Sequence, residues 1–177
     1  RDLRGWMVLL NVFYNITSQH RPLINALCTK KETLKIEYKP IGIVRTPFKE
    51  LKGIPNQPSK SKGVNGIVDV YPEFQEGLRD LDGFSHIILL CHFHKISEYK
   101  LTVIPSEETM VRGLFATRSP RRPNPIGFSV VQLDKVQENQ LMISDLDILD
   151  GTPVIDIKPY FREFDASKEI KTGWILK

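Results

Sequence analysis

The chain has 177 residues, 41% of them hydrophobic and 26% charged, with a formal net charge of +4. That length holds one globular domain with a core that needs no disulfide or metal support, and so ordinary a composition excludes global disorder, collagen and coiled coil. Cys28 and Cys91 form no CxxC pair, which argues against a disulfide framework or a structural zinc and for a reducing, cytoplasmic setting.

Residues 1–35 read as an N-terminal extension of unassigned role. Its apolar stretch from Trp6 to Tyr14 is too short to span a bilayer, and no small-residue cleavage site follows it. Asn15-Ile16-Thr17 is a glycosylation sequon, which carries meaning only on a secreted chain. From Leu34 onward the pattern is mostly strand. Short β-rich runs are predicted over 35–38 and 41–46, broken by Pro40 and Pro47. Residues 52–65, dense in Gly, Pro, Ser and Lys, predict a loop. A strand over 66–71 follows, then a short helix over 73–81 behind Pro72, then a buried strand over 86–94. Further strands are predicted over 101–104, 110–116, 128–136, 140–149 and 154–160. Many short strands with turn signals between them point to a mainly β fold, a closed or nearly closed barrel with a few short helices. The expected organisation is the extension 1–35, a barrel domain 36–165 and a C-terminal segment 166–177.

Charge is segregated along this frame. Arg45, Lys49, Lys52, Lys60 and Lys62 share one stretch, opposed by Glu50 alone; Arg112, Arg118, Arg121 and Arg122 share another without an acid. Acids gather instead between Asp69 and Asp82 and between Glu138 and Asp150. Such separation suits an anionic partner such as nucleic acid, and equally suits solvated loops.

The familiar cofactor and hydrolase signatures are missing. Neither GxGxxG nor GxxxxGK[ST] occurs, nor GxSxG, HExxH or the zinc deaminase pattern. His92-Phe93-His94 is the best metal candidate, because residues two apart share a strand face and His86 could join them. No carboxylate nearby completes a ligand set, so no metal is expected and the histidines suit a pocket wall better.

The strongest local signal is Thr117-Arg118-Ser119-Pro120-Arg121-Arg122-Pro123-Asn124-Pro125-Ile126-Gly127. Each proline fixes its own φ and pushes the preceding residue toward extended geometry. The arginines therefore sit on a stiff loop, and preorganised guanidinium groups suit carboxylate or phosphate recognition. Leu149-Asp150-Gly151-Thr152-Pro153 is a compact turn, and Gly53-Ile54-Pro55-Asn56-Gln57-Pro58 a loop in which Gln57 could read a polar edge.

Taken in order, IGIVRTPFKE, GIPNQ, PEFQEGL, LDGFSHIILL, HFH, FATRSPRRPNPIG and LDGTPVIDIKPY resemble a family of S-adenosylmethionine-dependent tRNA methyltransferases built on a single-sheeted β-barrel. The resemblance runs from about Ile41 to Tyr160. It implies methylation of N6 of N6-threonylcarbamoyladenosine beside the anticodon of threonine tRNA. It also implies a homodimer with the cofactor near the subunit interface, and no membrane association. The cofactor contacts it implies are Asn56, Gln57, Pro58, His94, Lys95, Arg118, Phe128, Asp150, Gly151, Thr152 and Pro153. Arg118 would grip the methionyl carboxylate and the Asp150 turn the ribose or methionyl amine, while Arg121, Arg122, Lys60 and Lys62 would steer the tRNA backbone. His94 is the candidate base for the N6 proton, since imidazole titrates near neutrality. Asn56 stands where the family commonly has arginine, and Phe128 where it has a smaller aliphatic. Longer bacterial members carry a further C-terminal domain, and the pattern here is expected to end shortly after the barrel. The alternative is an S-adenosylmethionine-binding sensor or RNA-binding module that transfers no methyl group.

Overall fold

The described residues form eight strands: β1 (Gly42–Arg45), β2 (Gly66–Val70), β3 (His86–His92), β4 (Thr102–Val103), β5 (Arg112–Gly113), β6 (Ile126–Gln137), β7 (Gln140–Ser144) and β8 (Pro153–Pro159). The computed structural model describes residues 35–51, 63–105, 108–162 and 172–175. The chain divides into Arg1–Glu37 and Tyr38–Lys177, and the strands all belong to the second unit.

Six strands close into a barrel in the order β1-β2-β7-β6-β3-β8, with β8 paired back to β1. Every pairing is antiparallel. β4 and β5 form a separate ribbon on the long excursion between β3 and β6. β6 serves two neighbours, pairing with β3 through Ile126–Gln132 and with β7 through Gln132–Gln137. A register shift between Leu133 and Lys135 marks the bulge that bends it from one to the other.

The interior is filled at every second position, by Val44, Val68, Val70, Ile87, Leu89, Cys91, Val131, Leu133, Leu141, Ile143 and Val154. Leu146 and Ile148 enter it from the segment after β7, and Leu78 and Leu81 from the turns before β3. Burial, with the Asp147 charge adding to it, pushes the Cys91 thiol up to about 12, so this cysteine is a packed apolar side chain and no nucleophile.

The mainly β barrel expected from the sequence is the one found, with four local corrections. Residues 35–40 form no strand and are exposed almost throughout, so nothing rewards pairing there. The helix expected over 73–81 is two 3-10 turns, Pro72–Leu78 and Leu81–Gly83; only Leu78 of the first is buried, and Asp80, at φ 65°, breaks the chain between them. The strand expected over 110–116 is β5 followed by a 3-10 turn, Leu114–Ala116. The strand expected over 140–149 stops at Ser144, because Asp145 takes φ 61° and turns the chain out of the sheet. Among the described residues, no helix is long and apolar enough to cross a membrane.

Candidate cofactor site

Antiparallel closure sorts the strand ends. One rim gathers the C-terminal ends of β1, β3 and β7 and the N-terminal ends of β2, β6 and β8. Along it β8, β3 and β6 are neighbours, because Cys91 faces Val154 on one side and Gly127 on the other. The Asp150 turn that enters β8, the His92-Phe93-His94 exit of β3 and the arginine loop that enters β6 therefore occupy one continuous arc.

The Asp150 corner is fastened to the end of β1. Asp150 Oδ1 accepts from the Thr46 amide at 3.0 Å, and Oδ2 pairs with Lys49 Nζ at 2.8 Å. Lys49 first, and then the Thr46 amide, hold the Asp150 carboxyl below the usual carboxylate range. Thr46 Oγ1 donates to the Ile148 carbonyl at 3.0 Å, and the Gly151 amide to the Val44 carbonyl at 2.8 Å. Gly151 sits at φ 75°, where a side chain would be strained. Thr152 is buried, and its carbonyl accepts from the Val44 amide at 2.9 Å.

The β3 exit is tied to the arginine loop. The Phe93 amide donates to the Pro125 carbonyl at 2.8 Å, and the Phe93 ring lies where a Gly127 side chain would be: a Cβ there would meet its Cζ at 2.4 Å. His94 lies just past the strand, and its Nδ1 is buried with no partner among the described residues. Burial, followed by the Lys95 and His92 charges, lowers its pKa, so at neutral pH it is a neutral imidazole. His86 is at the far end of β3, beside Ser85, which separates it from the His92–His94 pair.

The three loop arginines differ. Arg118 and Arg121 are exposed and, among the described residues, have no ion pair or side-chain hydrogen bond. Arg122 instead turns onto its own loop, with Nη1 3.0 Å from the Thr117 carbonyl oxygen and its guanidinium 5.5 Å from the Phe115 ring centre. Phe128 points outward from β6, opposite Leu90, and is 55% exposed. Asn56, Gln57, Pro58, Lys60 and Lys62 lie outside the described residues. A cavity of about 1050 Å³ beside the arc takes in Arg45, Lys49, Gln132, Asp134, Ser144 and Asp150, and none of His94, Arg118 and Phe128.

One acidic group escaped the sequence reasoning. Asp147 Oδ1 accepts from the buried Ser129 hydroxyl at 3.0 Å, at the barrel mouth. The signal for it was an acid between Leu146 and Ile148 in an otherwise apolar run.

Residues 43–166 match the family model of the tRNA-methyltransferase O N-terminal domain. The chain belongs to this family. It is 53% identical over 144 residues to a Pyrococcus abyssi protein named "Probable S-adenosyl-L-methionine-binding protein", spanning 81% of this chain and 78% of that one. It is 40% identical over 134 residues to the tRNA (adenine(37)-N6)-methyltransferase of Escherichia coli, spanning 70% of this chain and 57% of that enzyme. The crystal structure of TrmO from Pseudomonas aeruginosa superposes with a TM-score of 0.67 at 38% identity, covering 80% of this chain and 63% of that one.

The arc of this tRNA-methyltransferase O domain fits a sulfonium nucleotide chemically. Such a ligand carries a carboxylate, an ammonium, ribose hydroxyls and a flat base. Facing those needs are the Arg118 cation and the His94 nitrogen, neither partnered among the described residues, with the ionised Asp150 and the exposed Phe128 ring.

Proposed function

We propose that this domain is an S-adenosylmethionine-dependent tRNA adenine N6-methyltransferase, and that its acceptor is N6-threonylcarbamoyladenosine beside the anticodon of threonine tRNA in the cytoplasm. Residues 36–165 form the catalytic domain in this proposal. The observation that carries it is the strand order β8-β3-β6, which puts the Asp150 turn, His94 and the arginine loop along one rim of the barrel.

When bound, S-adenosylmethionine supplies a methyl group already activated on sulfur, so the protein acts mainly by positioning and by excluding water. Arg118 holds a carboxylate through paired donors. Asp150 stays ionised well below neutrality and accepts from an amine or ribose hydroxyl; the Gly151–Pro153 backbone and Lys95 are further proposed cofactor contacts. Phe128 offers an apolar face to a flat base. His94, neutral at working pH, accepts the proton released from the exocyclic nitrogen. Asn56, Gln57 and Pro58 complete the cofactor contacts, and Arg121, Lys60 and Lys62 meet tRNA phosphates.

The homodimer is also proposed. On the outer face of β3 and β6, Ile88 stands opposite Val130 and Leu90 opposite Phe128, next to Ile126. Ile126 and Phe128 are 42% and 55% exposed, an apolar stripe that a second copy would cover beside the cofactor arc.

The test incubates the protein with labelled S-adenosylmethionine and threonine tRNA, with and without the threonylcarbamoyl group, and reads the nucleosides by mass spectrometry. Methylated threonylcarbamoyladenosine, from the modified tRNA alone, is expected. Cofactor binding with no transfer to any RNA would select the sensor instead.

A further inference from the structure

We infer that Arg122 is a positioning residue for the cofactor, acting through Arg118 rather than on tRNA. The inference rests on Arg118 touching the cofactor, as proposed above.

Arg118 combines a free side chain with a pinned backbone. Arg122 Nη1 points at the carbonyl oxygens on both sides of it, 3.0 Å from Thr117 and 3.4 Å from Ser119, and reaches the Leu114 carbonyl at 3.5 Å. Thr117 Oγ1 donates to the same Leu114 carbonyl at 2.8 Å and accepts from the Ser119 amide at 3.3 Å. The Arg122 amide donates to the Pro120 carbonyl at 2.9 Å, and its guanidinium rests on the Phe115 ring. The loop thus folds around one permanently charged group, which holds the 117–118 and 119–120 peptide units, while Thr117 Oγ1 holds the 118–119 unit between them. A guanidinium suits this role because its fan of N–H donors can serve several carbonyls from one planar head.

The arrangement has a chemical consequence. A carboxylate captured by an arginine on a loose loop must also order that loop, and the ordering cost weakens binding. Fixing the carbonyls on each side of Arg118 beforehand removes that cost. Prolines limit φ in this loop, but they do not fix the rotation of the 117–118 and 119–120 peptides; Arg122 holds the carbonyl of each.

The experiment measures S-adenosylmethionine affinity by calorimetry for wild type, Arg118→Ala, Arg122→Gln, Arg122→Lys and the Arg118→Ala/Arg122→Gln double variant, with melting temperature as a control on folding. Arg122→Gln is expected to raise Kd about fivefold or more, on the scale of charged hydrogen bonds, and Arg122→Lys, which keeps a charged donor, to recover part of the loss. In the Arg118→Ala background the same Arg122→Gln change is expected to alter Kd by less than about twofold, the signature of action through Arg118. An equal loss in both backgrounds, or an unchanged Kd for Arg122→Gln, overturns the inference and leaves the proposed function standing. An unchanged Kd with a shallower salt dependence of tRNA binding would make Arg122 a phosphate contact, also against it. If Arg118→Ala itself leaves Kd unchanged, the Arg118 contact is wrong and the positioning role falls with it.

Discussion

The Ser129 hydroxyl donates to Asp147 Oδ1 at 3.0 Å, which sets a carboxylate against the barrel interior where Cys91 is already buried. Burial raises the Asp147 pKa, and the Ser129 hydrogen bond only partly opposes it. An acid whose folded pKa is raised favours folding in its protonated form. Its penalty grows as pH rises from the ordinary value of 3.8 through the raised folded value, and is full above that. Asp147→Asn keeps an acceptor for Ser129 and removes the charge. It is expected to raise the melting temperature by a few degrees at pH 7 and to have no effect below the ordinary carboxylate pKa. Calorimetric scans across that range check this, and equal melting temperatures at pH 7 would refute it.

Two glycines separate backbone from side-chain crowding. A Cβ at Gly42 would lie 2.5 Å from the Asp69 carbonyl oxygen, on the neighbouring strand, whereas the nearest atoms to one at Gly127 are those of the Phe93 ring. Strand backbones cannot yield without loss of pairing, but a ring can rotate. Gly42→Ala is therefore expected to cost about 1–3 kcal/mol and Gly127→Ala less, the ordinary range for overpacking. Urea titrations of the two variants give the order directly.

His94 should titrate below its ordinary 6.5, because burial and two neighbouring cations disfavour its charge. A base with a lowered folded pKa contributes stability that is complete above 6.5 and lost as pH falls through the folded value. An NMR titration that placed His94 at or above 6.5 would remove the neutral-imidazole role.

Phe128→Glu puts a charge in the outer stripe of β3 and β6 without touching the core. If the proposed homodimer forms through this stripe, light scattering is expected to show it converted to monomer, with cofactor affinity falling alongside. A variant that stays dimeric locates the contact elsewhere.

The barrel was legible in the sequence because many short β-rich runs are separated by turn signals. Val68, Val70, Ile87, Leu89 and Leu141 face inward as their spacing demands. Errors fell where no glycine or proline announced a turn: Asp80 and Asp145 both take positive φ, so the helix over 73–81 and the strand over 140–149 ran too far. In the arginine loop, composition exposed the stiffness but not the division of labour. Three arginines look alike in a string, and only folding shows that Arg122 finds carbonyls within reach while Arg118 does not. That the Asp150 turn and the arginine loop serve one site was implied by the family resemblance and not by local spacing; the structure puts them on the same rim. That placement follows from β8, β3 and β6 being adjacent, a long-range property that local spacing does not encode.

The closing pair of the barrel is also its slightest. β1 and β8 share only Gly42↔Val154 and Ile43↔Pro153 in register, and the Gly151 amide and Thr152 carbonyl continue the stitch onto Val44. Whatever grips the Asp150–Pro153 turn therefore also draws shut the seam that makes a cylinder of a curled ribbon. Ligand capture and mechanical closure become one event, and amides along that seam should be the ones whose exchange with solvent slows most when the nucleotide is held.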